Sequence, residues 1–436
     1  MGGERVWGSV ACLGLVANLA CYVSGFELCG SANAQTQSGT TGTVDSGQSA
    51  AALRFYGSVE YLNWWVKDAP LSVPLVSTGP IETTHHGLLG PPAENGADST
   101  VLYGAPHAPA QGGNDRQGFP GAPGAKFTAG YWFDDQQRFA VEGTGFFLAS
   151  RSAGYSARGD ASGNPILGIP VHNSLSYNIG TMIIFPGEDS LPFSLPDNPN
   201  RARANGIITG GINIKNTVTL WGADLKGAVS LYRDPTWDLY GLAGFRHVNL
   251  SEGFGLVTDI EGITGPYTGQ TGVAHDSFKT GNQFYGATFG VRGGVHLGRW
   301  FAEVTAQIAP GVSHETVDVS GGYTSVNFTP QTSGPEGVFA QPANEGRRTS
   351  NRFAFTTDTE LKIGYEISQN VRLTLAYEHL YYSNVVRPTD QIDRNIPKGQ
   401  TFLQAAPTIS TTSPAKLFNT TDFYAQGLNI GVEVRF

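Results

Sequence analysis

The sequence predicts an all-β chain folded as an antiparallel transmembrane β-barrel of about ten strands, with twelve possible. Three observations support this fold class: apolar and polar residues alternate strictly in many segments, short turns alternate with long connections, and the composition disfavours helices. The 436 residues include 58 Gly and 25 Pro, and only 14% of them are charged. Such usage is typical of strands and long loops rather than helical bundles.

The first 34 residues have the pattern of a secretory signal peptide. Arg5 supplies an early positive charge, an apolar run extends from Val6 to Phe26, and residues 32–34 form an Ala-Asn-Ala cleavage pattern. We therefore expect cleavage after Ala34. All three cysteines of the chain lie within this segment, so the exported chain would carry no thiol. An uncleaved membrane anchor is the alternative. A lipoprotein site at Cys21 is disfavoured, because Asn18 stands where such a site normally has an aliphatic residue.

The barrel is expected at residues 52–436, after a flexible leader at residues 35–51. Its first strand is predicted around Leu53 to Tyr61, where apolar and polar residues alternate. Four hairpins and one closing strand follow, with predicted strands at residues 127–133 and 139–147, 221–232 and 239–250, 283–295 and 300–308, 353–367 and 371–381, and 427–436. Within each hairpin the two strands are separated by only a few residues, such as Asp-Asp-Gln-Gln at 134–137.

The connections between hairpins are long and are predicted to be loops at residues 67–124, 151–216, 251–282, 320–351 and 387–421. Alternation of short turns with long loops is typical of outer-membrane barrels, whose short turns face the periplasm and whose long loops are extracellular. A secreted soluble β-sandwich or jelly roll that binds a ligand is the alternative, because its strands would also alternate.

Charged residues share one side of the predicted strands and apolar residues share the other. Phe353, Leu361 and Ile363 have one parity, whereas Glu360 and Lys362 have the opposite one. Because charge is costly in hydrocarbon, the charged side is predicted to face the lumen. The predicted lumen-facing residues are Arg54, Glu60, Lys126, Arg138, Glu142, Asp224, Lys226, Arg246, Arg292, Glu303, Asp358, Glu360, Lys362, Glu366, Arg372, Glu378, Glu433 and Arg435. Their signs balance, which in a narrow barrel predicts ion pairing rather than a wide channel.

Aromatic residues collect near the predicted strand ends, where interfacial girdles of a membrane barrel would lie. The predicted girdle residues are Trp64, Trp65, Tyr131, Trp132, Trp237, Tyr240, Trp300, Tyr381, Tyr382, Phe423 and Tyr424. Ordinary packing at a sheet rim is the alternative for each of them.

The last ten residues form the predicted signal for membrane assembly. Apolar side chains alternate with polar ones up to a terminal aromatic, a pattern that assembly machinery could recognise by strand addition. The predicted signal residues are Gly427, Leu428, Ile430, Val432, Val434 and Phe436.

No catalytic residue, metal site or cofactor is predicted. The net charge of −9 and the lack of a basic stripe argue against nucleic acid as a partner. Three neighbouring pairs could suggest acid–base chemistry: His275-Asp276, His314-Glu315 and Glu378-His379. Neighbouring residues in a strand face opposite ways, which disfavours the second and third pairs.

Metal binding has only weak candidates. His85, His86 and His107 fit no strong ligand spacing, and turn formation explains Asp390 and Asp393 as well as calcium binding does.

Several ordered motifs resemble the putative beta-barrel porin type seven family of bacterial outer membranes. They are YGSVEYLNWWVKDAPLSVPLVSTG at 56–79, AGYWFDDQQRFAVEGTGFFL at 129–148, LAGFRHVNLSE at 242–252, DSFKTGNQFYGATFG at 276–290, NVVRPTDQIDRNIP at 384–397 and TDFYAQGLNIGVEVRF at 421–436. The resemblance covers nearly the whole exported chain and departs at Thr389, where the family pattern is expected to have glycine. It implies a porin by fold and supplies no catalytic residues.

These observations predict a porin-like outer-membrane protein with a narrow, charge-paired lumen and functional surface loops. An open general-diffusion porin is the alternative. The expected partners are outer-membrane lipid and the barrel assembly machinery, whereas a partner of the loops is not indicated.

Overall fold

Ten long strands pair side by side in the computed structural model, which describes residues 54–79, 99–106, 112–174, 177–179, 182–184, 187–197, 206–327, 333–396 and 412–436. We number the strands β1 Phe55–Val66, β2 Ala122–Trp132, β3 Phe139–Leu148, β4 Ile208–Arg233, β5 Trp237–Gly262, β6 Thr271–Leu297, β7 Trp300–Val326, β8 Gly346–Glu366, β9 Val371–Val386 and β10 Thr420–Arg435. The predicted cleavage site and leader lie outside the described residues.

The ten strands form a closed antiparallel ring. Each strand pairs with the next along the chain, and β10 returns to pair with β1 in a register that sets Tyr56 opposite Arg435. A further strand, Arg151–Arg158, continues the line of β3 and pairs with the outer half of β4. The predicted fold class and strand number are confirmed.

The strands from β4 to β7 are 26 or 27 residues long, whereas about ten residues suffice to cross a bilayer. We call their outer ends the extension, defined as residues 208–219, 251–262, 271–281 and 316–326. The predicted loops at 251–282 and 320–351 were therefore too long, because strand pairing continues to residues 262 and 326 and resumes at 271 and 346. The predicted loop at 151–216 likewise contains strand structure at both of its ends.

Large apolar side chains form a belt on the outside of the ring. Leu225 and Ile430 are each 60% exposed, and Phe245, Phe289 and Leu361 are also exposed. Their strand neighbours are mostly buried, as the two-residue period of a strand requires. This is the outward apolar band of a membrane barrel.

A second sheet, which we call the cap, is built from the long connections. Its strands are Gly187–Ser194, Leu167–Asn173, Pro74–Thr78, Thr100–Gly104 and Asn395–Ile396. The last of these pairs in parallel with Leu167–Asn173, and the other neighbours are antiparallel. Apolar cap residues such as Leu191 and Phe193 share one buried cluster, the upper core, with Ile214, Phe254 and Leu256 of the extension.

The remaining elements are short. They are the strand pair Ala69–Pro70 with Arg116–Gln117, the pair Tyr177–Ile179 with Met182–Ile184, the strand Ser333–Gly334 beside β7, and the 3-10 helices Gly265–Tyr267 and Pro388–Gln391. Within the part of the chain that the structure describes, no helix is long and apolar enough to cross a membrane.

Candidate functional site

The interior of the ring is the candidate site, and its lowest layer holds a network of buried ion pairs. Lys126 on β2 places Nζ 2.5 Å from Glu360 on β8 and 2.9 Å from Glu378 on β9. Lys362 approaches Glu360 at 2.6 Å and Glu60 on β1 at 3.4 Å. Because β2 is not a neighbour of β8 or β9 in the ring, these contacts cross the interior.

A second buried cluster surrounds Glu142 on β3. Its carboxylate accepts hydrogen bonds of 2.9 and 3.1 Å from Arg292 on β6 and one of 2.8 Å from the Tyr56 hydroxyl, and it lies 3.2 Å from Lys226 Nζ. Arg292 also lies 3.7 Å from Glu303. The five groups come from five strands, so the cluster ties opposite sides of the barrel together.

Arg246 completes this layer. Its guanidinium donates two hydrogen bonds, of 2.8 and 2.9 Å, to Asp224 and lies 4.0 Å from Asp358. A paired fork of this kind satisfies a buried carboxylate well. Breaking one partner of a buried pair typically costs about 3–5 kcal/mol, so the layer resists opening.

Nearer the turns, Arg372 pairs with Glu366 and lies 3.6 Å from Glu433, which also pairs with Arg435 at 2.7 Å. Arg372 is buried, whereas Glu366, Glu433 and Arg435 are partly exposed. They form the lower edge of the charged layer.

Two of the predicted lumen residues lie outside the interior. Arg54 pairs with Asp135 at 2.6 Å, and Arg138 pairs with Asp134 at 2.7 Å, both at the turn that joins β2 to β3. The Arg138 side chain is 60% exposed. The predictions for Arg54 and Arg138 were wrong, because strand parity alone does not show where a strand begins or ends.

A layer of apolar side chains, the middle core, lies above the charged layer. Its buried members are Leu62, Trp64, Val66, Ala122, Leu148, Val218, Leu220, Val248, Leu250, Phe284, Ala309, Ala354, Leu380, Tyr382, Val385, Phe423 and Ala425. The rings of Phe284 and Tyr382 lie 5.7 Å apart, and the Tyr382 hydroxyl is 2.6 Å from Ser313 Oγ. Side chains from both halves of the ring therefore meet across the lumen at this level.

Glycine makes room for the largest rings of the middle core. A Cβ at Gly427 would lie 2.5 Å from the Trp64 ring, and one at Gly222 would lie 2.6 Å from the Phe146 ring. Trp64 is fully buried, and its indole nitrogen donates a 2.7 Å hydrogen bond to Asn429. Each ring therefore packs directly against the glycine backbone of the neighbouring strand.

The middle core shows that the prediction of the aromatic girdle was only partly correct. Trp65 and Tyr424 are exposed on the outside, whereas Trp64, Tyr382 and Phe423 are buried inside. Trp132 packs on Tyr240 within the barrel near the turns, with 5.5 Å between ring centroids. Adjacent strand residues face opposite ways, so only one member of each neighbouring pair can belong to a girdle.

A fully buried arginine anchors the connections above the middle core. Arg387 donates to Glu252 of β5 at 2.6 and 2.9 Å, and to the carbonyl oxygen of Asp68 at 2.7 Å. It lies in the same motif as Thr389, whose hydroxyl donates to the Pro70 carbonyl oxygen. One ion pair therefore holds the segments after β1 and after β9 against the barrel wall.

The connection between β7 and β8 enters the outer end of the barrel. Val338, Phe339 and Ala340 are fully buried, and their backbone N–H groups donate to the Asp276 carboxylate at 3.2, 3.0 and 2.7 Å. Burial raises the pKa of Asp276 to about 7, although these hydrogen bonds favour its charged form.

The three His–acid pairs do not assemble into dyads. His275 is exposed and His314 is half-buried on the outer face, whereas Asp276 and Glu315 are buried on the inner face. Glu378 is likewise buried in the charged layer, away from its neighbour His379.

The structure describes only some of the residues considered for metal binding. His85, His86 and His107 lie outside the described residues, and the residues that are described contain no cluster of His, Cys, Asp and Glu suited to a metal ion. Asp390 accepts a hydrogen bond from Ser72, and Asp393 accepts one from the Ala415 N–H at 2.7 Å.

The residues of the predicted assembly signal divide between the two faces of β10. Leu428, Ile430 and Phe436 are exposed on the membrane side, Val432 and Val434 are half-buried, and Gly427 faces inward against Trp64. The Phe436 N–H and carbonyl oxygen pair with the backbone of Phe55 on β1. This edge of the strand closes the ring.

Sequence reasoning missed the middle core, although a signal for it exists. In segments such as Leu62 to Val66 and Phe146 to Leu148, apolar residues occupy both parities, so the alternation disappears. A membrane strand with two apolar faces contacts lipid on one side and another packed layer on the other. Loss of alternation within a membrane strand therefore indicates a filled lumen.

A closed antiparallel ring with an apolar outer belt and a charged interior defines an outer-membrane β-barrel protein. The family model described as Putative beta barrel porin-7 matches residues 56–436. The chain belongs to this family, and its localisation is the outer membrane.

Solved structures give a weaker likeness. The outer membrane protease OmpT from Escherichia coli is 9% identical, with a TM-score of 0.41 over 88% of this chain and 98% of that one. OmpT of Vibrio cholerae, an outer membrane protein folded in vitro, is 8% identical, with a TM-score of 0.16 over 88% and 97% of the two chains. The Pseudomonas putida toluene transporter TodX is 8% identical, with a TM-score of 0.17 over 88% and 90%. No curated protein matches the chain.

Proposed function

We propose that this outer-membrane barrel is closed to diffusion and acts through its capped outer end. The observation that carries the proposal is the middle core, where Trp64, Phe284, Tyr382 and Phe423 are fully buried inside the ring. Below it the charges are paired, and above it the cap adds the upper core. A barrel of about ten strands is only slightly wider than one that side chains fill.

Planar-bilayer recording of the refolded protein tests this function. We expect little or no conductance from the wild type. Replacing Trp64, Phe284 and Tyr382 together by alanine should create stable openings, because it removes three rings from one layer. The matched control replaces Trp65, Tyr285 and Tyr381, which lie next to them in sequence and belong to the outward parity, and it should stay closed.

Large stable openings in the wild type would contradict the proposal and favour a general-diffusion porin. Equal conductance in the inner and outer triple variants would show that general loosening, rather than the middle core, controls passage. Heat-modifiable migration of each variant confirms that the barrel has folded before recording.

We propose export with cleavage after Ala34, supported by the Ala-Asn-Ala pattern and the position of the cysteines. Mass spectrometry of protein taken from outer membranes should find Gln35 as the first residue. Recovery of Met1, or of a lipidated Cys21, would contradict this.

We further propose that the protein is not an enzyme and that its partners are membrane lipid and the assembly machinery. The separation of each His–acid pair onto opposite faces supports the first point. The exposed apolar belt supports lipid contact, and the alternating β10 strand with its terminal aromatic supports recognition during assembly.

A further inference from the structure

Two lysines on the outer wall of the extension mark a surface that the proposed function does not use. Lys215 of β4 and Lys279 of β6 are both exposed, and the residues on either side of each are buried or inward-facing. Among the described residues neither lysine has an ion-pair partner within 4 Å. Their charges are therefore directed at the surroundings of the barrel.

The strand between the two lysines, β5, has glycines at the same height. Lys279 pairs in register with Gly253 of β5, and Lys215 pairs with Gly255. A Cβ at Gly255 would meet nothing closer than 4.0 Å, and the Thr217 hydroxyl lies over Gly253. Strand spacing places the two lysine Cα atoms roughly 12 Å apart. We call the glycine surface of β5 between them, at Gly253 and Gly255, the floor. Both ammonium groups can reach one anionic group lying on the glycines.

The charge around the floor remains positive. Asp318 of β7 lies opposite Lys279 in register, and Arg347 of β8 lies opposite Asp318 on its other side. This row therefore has one net positive charge, and Lys215 adds a second. An anion is the complementary ligand.

An aromatic ladder fixes the height of the floor above the membrane. Trp221, His247 and Tyr285 stack on the outer face, with centroids 4.9 and 4.6 Å apart. Each lysine is six residues beyond the aromatic residue of its own strand, which is roughly 15 Å above the ladder for a tilted strand. The headgroup layer of a simple phospholipid is only about 5–8 Å thick. A headgroup with sugars would reach the lysines, whose side chains can also turn back toward the membrane.

The side chains between the ladder and the lysines suit sugar hydroxyls. Thr219, Asn249, Ser251 and Gln283 lie on this outward face and offer hydroxyl and amide groups. We propose that the outer wall of β4–β6 binds the phosphorylated sugar headgroup of an outer-leaflet glycolipid. The lysines bind the phosphate, the hydroxyl and amide side chains contact the sugars, and the aromatic ladder marks the acyl boundary.

Native mass spectrometry of the full-length barrel in maltoside micelles, with diphosphorylated lipid A as the probe, tests this site. Wild type should bind the probe and should bind the same lipid without its phosphates much more weakly. Lys215→Gln/Lys279→Gln should bind the diphosphorylated lipid roughly 30-fold more weakly, on the usual contribution of a lysine near an anionic headgroup. Lys215→Arg/Lys279→Arg and the loop variant Lys416→Gln should bind as wild type does.

Unchanged binding by the glutamine variant, or equal binding of the dephosphorylated lipid, would overturn the proposal. So would a lipid-independent dimer of the wild type that the glutamine variant loses, because the patch would then bind a second copy of this chain. The assay does not depend on conductance, so its failure is distinct from failure of the proposed function. If the glutamine variant does not fold, the arginine variant and the comparison of the two lipids on the wild type still test the proposal.

Discussion

At the scale of single residues, the buried charges stabilise the interior because opposite charges are paired and neither sign is in excess. Arg387 is the extreme case, because it is fully buried, lies in the connection after β9 and contacts both the connection after β1 and Glu252 on the barrel wall. Removing one member of such a pair leaves the other charge buried and unpaired. The interior is therefore most sensitive to single substitutions at its charges.

We expect Arg387→Ala to lower the free energy of unfolding by about 3–5 kcal/mol. Urea unfolding in detergent micelles measures this. The double variant Arg387→Met/Glu252→Leu should recover part of the loss, because no charge then remains unpaired. The control is Arg158→Ala, whose pair with Asp259 is largely exposed and should be worth less than about 1 kcal/mol. A loss at Arg387 no larger than the control would refute the assignment.

Asp276 should make the docking of residues 337–340 depend on pH. Its pKa rises from 3.8 to about 7 on folding, so the folded protein binds a proton that the unfolded chain releases. Docking is then most stable below about pH 4 and weakens as the pH rises to 7, by at most about 4 kcal/mol. The nearby titratable groups are Glu345 and Glu336 on the connection and His275 on β6.

Hydrogen exchange at Val338, Phe339 and Ala340, corrected for the intrinsic effect of pH, should show protection that falls from about pH 4 to about pH 7 and is flat above that. Asp276→Asn should flatten this profile, whereas Asp318→Asn on the outer face should leave it unchanged. A wild-type profile that is flat, or that rises with pH, would refute the role of Asp276.

At the scale of elements, the pairing of β10 with β1 closes the ring. We expect Phe436→Asp to impair membrane insertion, because the residue combines a membrane-facing ring with the end of the proposed assembly signal. Heat-modifiable migration of protein from membranes is the measurement, and Phe436→Trp should assemble normally. Phe55→Asp places the same charge on the facing strand, so equal impairment in both variants would attribute the effect to charge burial and reject a recognition signal.

The sequence predicts the membrane part of each strand well but not the extension. In β5 the apolar residues Leu239 and Phe245 are odd-numbered and face lipid, whereas Phe254, Leu256 and Ile260 are even-numbered and face the interior. The phase of the alternation reverses where the strand leaves the membrane, because water then replaces lipid outside and the cap replaces the charged layer inside. A search for one unbroken phase therefore ends the strand too early.

At the scale of the whole molecule, the ring of strands could be predicted from the sequence, whereas the middle core and the cap could not. Short turns force consecutive strands together, so strand order follows from the sequence. The charged layer was also within reach, since Lys126, Glu360 and Glu378 share the inward parity. The cap joins Pro74–Thr78, Leu167–Asn173 and Asn395–Ile396, which are far apart in the chain. No local pattern specifies such pairings, because each depends on the barrel wall beneath it.

The origin of the cap strands gives the outer end a tolerance to damage. They come from the connections after β1, after β3 and after β9, so three separate tethers hold one sheet. A surface protease that nicks any one connection leaves the cap held by the other two and by the upper core. Foreign peptides inserted into a single connection should likewise be displayed to the outside while the interior stays covered.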